Sequence, residues 1–181
     1  MYPLQIIEKY YDRESPSYHY LVRHSEMVTR KAVEIAGRVE HLNPDVAFIR
    51  EAAMLHDIGI FLTRAPSIGC NGDKPYLCHG YLGREIVERE GFPRHALVCE
   101  RHIGVGITVD EIERMNLPIP RRDILPLSIE ERIICFADKF FSKQEEFLLR
   151  EKSIERIKKG LSRLGEEKVK RFEEMVAFFG S

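Results

Sequence analysis

Burying an ionisable side chain without a partner costs several kcal/mol, so ionisable residues on the apolar stripes of helices constrain a chain more than the stripes do. This chain places one on each of five predicted helices. His24 shares a face with Leu21, Val28, Ala32, Ile35 and Val39, and His56 with Ile49, Ala52 and Ala53. His79 falls with Leu82, Ile86 and Val87, His102 with Val98 and Cys99, and Asp138 with Ile134, Ala137 and Phe141. Asp57 follows His56 where the helical pattern ends, just before Gly59. A fold that buries these stripes has to supply partners for all six groups.

Almost everything between them also reads as helix, with Gly and Pro as punctuation and no convincing period-two alternation. The expected fold class is all-α, a compact helical bundle forming one domain over residues 1–181. A short helix over about Pro3 to Tyr11 precedes a longer one opening at Ser15-Pro16-Ser17. Asn43-Pro44 supplies an N-cap and a first-turn proline for a helix running to Asp57, and Gly59 stops it. A helix from His79 ends at Gly91, and Pro93 opens the one that carries His102. Thr108 with Glu111, and Ser128 with Glu131, have the spacing of capping boxes. The tail, residues 151–179, reads as two shorter helices broken near Gly160 and Gly165. Its last stripe, Val169, Phe172, Val176 and Phe179, packs on the chain's own core or on a second subunit of a homodimer.

Charge and cysteine usage narrow the partners. The 28 basic residues nearly cancel the 29 acidic ones, so no global field points to duplex nucleic acid or an anionic membrane. No apolar run approaches the roughly 20 residues of a spanning helix. The start, Met1-Tyr2-Pro3-Leu4-Gln5, lacks the order of a signal peptide, and the expectation is a cytoplasmic protein. Cys70, Cys78, Cys99 and Cys135 are scattered without CxxC spacing and read as reduced core thiols.

Metal ions are the most economical common partner for the inward groups, because neutral imidazole and carboxylate together suit several transition metals. Six ligands would crowd one ion, whereas two ions sharing a bridging Asp57 would use them all. His19, His41 and His95 read as structural: His19 lies off the face of His24, His41 at a helix end, and His95 in a first turn.

At these residues the chain resembles the HD-domain superfamily of metal-dependent phosphohydrolases, whose signature is a His, an adjacent His-Asp and a distant Asp. His24, His56-Asp57 and Asp138 match in order, and Ile58-Gly59 completes the HDIG variant. The resemblance spans about Tyr20 to Ser142 and implies a fold of the HD-domain type. It implies that His24, His56, Asp57 and Asp138 hold one ion, and Asp57, His79 and His102 a second. In size and ligand order the chain is similar to compact bacterial di-iron hydrolases that split diadenosine tetraphosphate. That favours iron, with manganese, zinc, cobalt, nickel and magnesium open to the same donors.

The implied reaction is hydrolysis of a phosphoester or phosphoanhydride in a small nucleotide-like substrate by a metal-activated water, with Asp57 as the central catalytic carboxylate. Two roles are open to Lys139: touching a phosphate, or pairing with a carboxylate beside the metals. The connection from Ile60 to Leu77, with Arg64 and Lys74, suits a lid over a polar ligand or a flexible surface loop. Arg121-Arg122 matches phosphate in fork geometry or forms a solvated basic turn. Two other functions are weighed: a mixed-valent di-iron oxygenase, which is similar in ligand order on the same scaffold, and a non-catalytic nucleotide-sensing module with a vestigial site, against which the complete ligand set argues.

Overall fold

Side-chain caps set half of the ten α-helix starts among the described residues. The computed structural model describes residues 2–180; Met1 and Ser181, and with them the two ends of the expected 1–181 unit and the first residue of the start weighed as a leader, lie outside them. The Ser15 side chain accepts from Tyr18 N at 3.2 Å and Pro16 enters at the first helical position, so α2 runs Pro16–Arg38 after the short α1, Pro3–Ile7. The next helix, α3 (Val46–Leu55), is capped by Asp45, whose carboxylate accepts from Phe48 N at 2.9 Å. The cap expected at Asn43 is a different device: Asn43 sits in the left-handed region, at φ 54°, closing a 3-10 turn over Glu40–Leu42. α4 (His79–Arg89) and α5 (Pro93–Arg101) follow the expected boundaries.

Both capping-box spacings form caps, but only one is reciprocal. At α6 (Val109–Arg114) Thr108 and Glu111 satisfy each other's backbone donors. At α7 (Ile129–Asp138) Ser128 accepts from Glu131 N, but the Glu131 carboxylate reaches Leu127 N at 2.8 Å and the Arg101 guanidinium instead. A single turn, α8 (Glu145–Leu148), leads to α9 (Ile154–Ser162) and α10 (Glu166–Phe179). The tail breaks at Gly165 alone, since Gly160 lies inside α9.

Gly59 does not act as a helix stop. α3 already ends at Leu55, and Gly59 belongs to a 3-10 segment, Ile58–Leu62. A Cβ at this position would meet the His79 carbonyl and stand 2.5 Å from Gly83 N, so the missing side chain lets the chain after Asp57 press directly on α4. The connection that follows is ordered by a two-residue antiparallel ladder, β1 (Arg64–Ala65) with β2 (Cys70–Asn71), and lies against Pro16 and Ser17 at the start of α2. Among the described residues this is the one sheet, accompanied by isolated bridges such as Ile107 with Ile124.

Two large apolar clusters carry the packing. One joins α2, α3, α7, α9 and α10 around Phe136 and Phe172, and absorbs Val169, Phe172, Val176 and Phe179, so the last stripe packs on the chain's own core. The other gathers α1, the start of α2, α4 and α5 around Leu21, Leu55 and Ile86. All four cysteines are free thiols and buried. Among the described residues no helix is long and apolar enough to cross a membrane.

Candidate metal centre

The six inward residues meet between the two large clusters. His24 comes from the third turn of α2, His56 and Asp57 from the end of α3, His79 from the first position of α4, His102 from the C-cap of α5, and Asp138 from the last position of α7. Helix ends place five of them, where the backbone enters or leaves the helix and the side chain is no longer confined to a stripe. Asp57 stands at the middle, with its two oxygens facing different groups. Oδ2 lies 3.2 Å from His24 Nε2 and 3.0 Å from His56 Nε2, and Asp138 Oδ1 closes that set at 3.0 and 3.6 Å from the same nitrogens. Oδ1 lies 3.1 Å from His79 Nε2 and 3.4 Å from His102 Nε2. Within each set, His24, His56, Asp57 and Asp138 or Asp57, His79 and His102, the ligand atoms all lie within 4.8 Å of one another.

The placement of protons shows what this arrangement can hold. Nδ1 of His56 lies 2.6 Å from the Ala53 carbonyl, Nδ1 of His79 2.6 Å from the Tyr76 carbonyl, and Nδ1 of His102 2.8 Å from the Cys99 carbonyl. A carbonyl oxygen only accepts, so each Nδ1 carries a proton and a neutral ring presents a bare lone pair at Nε2. Nε2 of His79 and Nε2 of His102 then face each other at 3.1 Å, with Asp57 Oδ1 beside both: acceptors meeting acceptors. His56 Nε2 and Asp57 Oδ1 are buried without a hydrogen-bond partner among the described residues. Cations resolve this surplus, and the imidazole and carboxylate donors fit divalent metal ions.

Electrostatics lean the same way. Burial opposes ionisation of Asp57 and Asp138, but His56 and Lys143 beside the first, and Lys139 and His24 beside the second, hold both carboxyls well below the usual range. Burial also opposes a charge on His56, yet Asp57 and Asp138 raise its pKa to about 9, so that without a metal ion a proton on Nε2 supplies the positive charge these carboxylates call for. At His102 burial wins, and the ring is pushed down to about 4 despite Asp57.

A cavity of about 550 Å³ opens over the cluster, with His24, Asp57, His79, His102 and Asp138 in its lining. Lys139 lines it too, paired with Asp138 Oδ2 at 2.8 Å and with Nζ 3.3 Å from the His102 carbonyl. Lys143, which helical periodicity did not pick out, lines the same cavity, donates to Asp57 Oδ2 and lies 5.8 Å from the centre of the Tyr76 ring. Its sequence signal is weak, because it lies beyond the end of α7 and the turn that brings it back has no period.

The basic residues expected at the substrate are elsewhere. The 60–77 connection borders the cavity through Ala65, Ser67, Ile68, Tyr76 and Leu77, not through Arg64 or Lys74; Arg64 is exposed on β1 and Lys74 stands beside Asp73. Arg121 is exposed, and Arg122 is held by Glu100, buried beneath it and also bound to Arg84 at 2.6 Å. His95 lies outside the cluster, between Phe48 and Phe92 with Nε2 3.2 Å from Glu51; His19 and His41 are apart from it as well.

The chain belongs to the HD domain family, whose model matches residues 21–142. An uncharacterized protein of Methanocaldococcus jannaschii is 36% identical over 121 residues, 65% of this chain and 64% of that protein. The tRNA (cytidine(56)-2'-O)-methyltransferase of Thermoplasma volcanium is 33% identical over 143 residues, 78% of this chain and 38% of the enzyme. The enzyme of the same name from Picrophilus torridus is 32% identical over 67% of this chain and 31% of its own length. This chain thus spans less than two thirds of each of these relatives. Among solved structures, the HD domain of the Listeria monocytogenes phosphodiesterase PgpH, in complex with cyclic-di-AMP, shares the fold with a TM-score of 0.55 at 16% identity, covering 97% of this chain and 94% of that one.

Proposed function

We propose that this protein is a metal-dependent phosphohydrolase that cleaves a phosphoester or phosphoanhydride bond of a nucleotide-like substrate. The observation that carries the reading is the Asp57 carboxylate, with Oδ2 turned to His24 and His56 and Oδ1 turned to His79 and His102. That is the posture of a bridging ligand, with His24, His56, Asp57 and Asp138 for one ion and Asp57, His79 and His102 for another. Membership of the HD domain family supports it, as does a fold shared with a phosphodiesterase domain. The cyclic dinucleotide bound to that domain and the tRNA enzymes among the relatives support a nucleotide.

When bound, two divalent ions supply a water of lowered pKa as nucleophile and offset the charge of the phosphoryl oxygens. The chain's own groups do the rest. Carbonyls of Ala53, Tyr76 and Cys99 fix three rings with Nε2 inward, so no reorientation is needed as ligands are engaged. Lys139 holds Asp138 through Oδ2, leaving Oδ1 for His24 and His56. Lys143 Nζ, in the cavity wall beside Asp57, would be a donor to a phosphoryl oxygen. Iron is the favoured ion on the similarity to di-iron hydrolases.

Protein purified without chelators and assayed on a panel of nucleotides, dinucleotides and oligonucleotides tests the reading. Metal-dependent release of phosphate or nucleotide is expected, abolished by a chelator and restored by the native metal. Fully metallated protein that turns over nothing in the panel sinks it.

A further inference from the structure

On the far side of Asp138 and Lys139 lies a second cavity, of about 300 Å³. Asp138, Lys139 and Phe141 line both hollows, so the two flank one wall. The remaining lining of the second includes Lys152, Arg156 and Gly160. Beyond Gly160 a third hollow, of about 230 Å³, is lined by Arg156, Lys159, Gly160 and Arg163.

This basic face has a sequence origin. Ile157 and Leu161, one turn apart on α9, are buried in the core, which turns Arg156, Lys159 and Arg163 to another side at spacings of three and four. Asp138 is the one acid in the lining of these two hollows, although Glu155 is exposed on the same helix. Asp138 is paired to Lys139, and Arg156 has one ion pair, at 3.6 Å with the exposed Glu146. Lys152 is partly buried and donates to the Phe141 carbonyl at 2.7 Å, with no carboxylate partner among the described residues. Lys159 and Arg163 likewise have no ion pair among the described residues, nor does Lys170, whereas Arg150, Lys158 and Arg171 do. At Gly160 a Cβ would meet nothing within 4 Å, so the surface between the hollows is open.

We propose that this face of α9 is a phosphate track for a single-stranded oligonucleotide whose scissile bond lies at the metal centre. From Arg156 to Arg163 the helix rises about 10 Å, more than one phosphate group occupies, so the track takes successive phosphates. A partly buried lysine without a counter-ion gains the most from an anion, because its desolvation is otherwise uncompensated. The contact is electrostatic and carries no base preference. The inference names a substrate class for the proposed phosphohydrolase and rests on that reading for turnover, but its binding arm does not.

Gly160→Glu is the most discriminating variant. It sets a carboxylate into open space between the two hollows and exchanges a helix-interior glycine for a better helix former, so folding is not at risk. Binding of a 5'-labelled pentaadenylate to metal-stripped protein is measured by fluorescence anisotropy over a range of salt. The expectation is a Kd weakened about tenfold in Gly160→Glu and a shallower salt dependence in Lys159→Gln/Arg163→Gln. With metal restored, the ratio of kcat/KM for the pentanucleotide to that for bis(p-nitrophenyl) phosphate falls about tenfold in Gly160→Glu. A wild-type protein that does not bind the oligonucleotide, or variants that move Kd and the ratio less than threefold, overturn the track. Salt-sensitive binding that Gly160→Glu weakens, without any turnover by wild type, retains the track and removes the phosphohydrolase reading instead.

Discussion

Two buried clusters of charge in this molecule teach opposite lessons. Around Glu111 every acceptor has a donor: Oε2 takes Thr108 N at 2.8 Å, Lys168 Nζ at 3.0 Å and Arg171 Nη1 at 3.1 Å, while Oε1 takes Lys168 at 2.9 Å. Lys168 spends its remaining capacity on the Gly106 carbonyl at 2.6 Å. Around Asp57 the bookkeeping does not close, because imidazole lone pairs and carboxylate oxygens face one another. A satisfied cluster stabilises the fold by itself; an unsatisfied one has the donor set that suits a metal ion.

The contrast breaks most visibly at Asp57. Asp57→Asn removes the carboxylate that serves both ligand sets and is expected to lower turnover by about 10³-fold or more while the helical circular dichroism persists. Loss of fold together with activity would place Asp57 with Glu111 as a structural acid. Glu111→Gln is the reciprocal test. It leaves Lys168 and Arg171 facing a neutral amide and should cost about 3 kcal/mol in urea unfolding, without changing metal content.

Gly59 links the two kinds of behaviour. Gly59→Ala drives a methyl group into the His79 carbonyl and Gly83 N and is expected to cost about 1–3 kcal/mol while displacing His79 from Asp57. A thermal scan with metal titration checks this. Weaker metal binding is expected beyond what the stability loss explains, and metal affinity unchanged in the folded variant would contradict the close approach.

The smallest effect is acid sensitivity. Burial opposes ionisation of Glu111, but Thr108 N, Lys168 and Arg171 hold its pKa down to about 2, against 4.5 for a free side chain. A depressed carboxyl contributes stability that is complete above its unfolded pKa and is lost as pH falls toward its folded one. The difference in unfolding free energy between wild type and Glu111→Gln should therefore shrink between about pH 4.5 and pH 2. A constant difference across that window would mean that Glu111 is not ionically held.

The six residues of the candidate centre were legible because each sits in or just past a helical stripe, and a stripe is a local, periodic property of the sequence. Their division around Asp57 is a matter of angles between helices that periodicity does not encode. What escaped has the same cause. Gly59 looks like a stop signal until α4 is in place against it, and Asn43 looks like a cap until the left-handed turn before Asp45 is seen. Arg122 looks like a phosphate fork until Glu100 is found beneath it, and Lys143 carries no pattern at all because it follows the last turn of α7. Charged residues far from one another in sequence pair by tertiary accident, so a basic residue in a loop says little about a ligand until its acids are located.

Elemental analysis of chelator-free protein, paired with the His102→Ala variant, tests the bridging Asp57 most directly. Two ions per chain in wild type and one in the folded variant is the expected result, since His24, His56, Asp57 and Asp138 are left intact. A single ion in both proteins would contradict it.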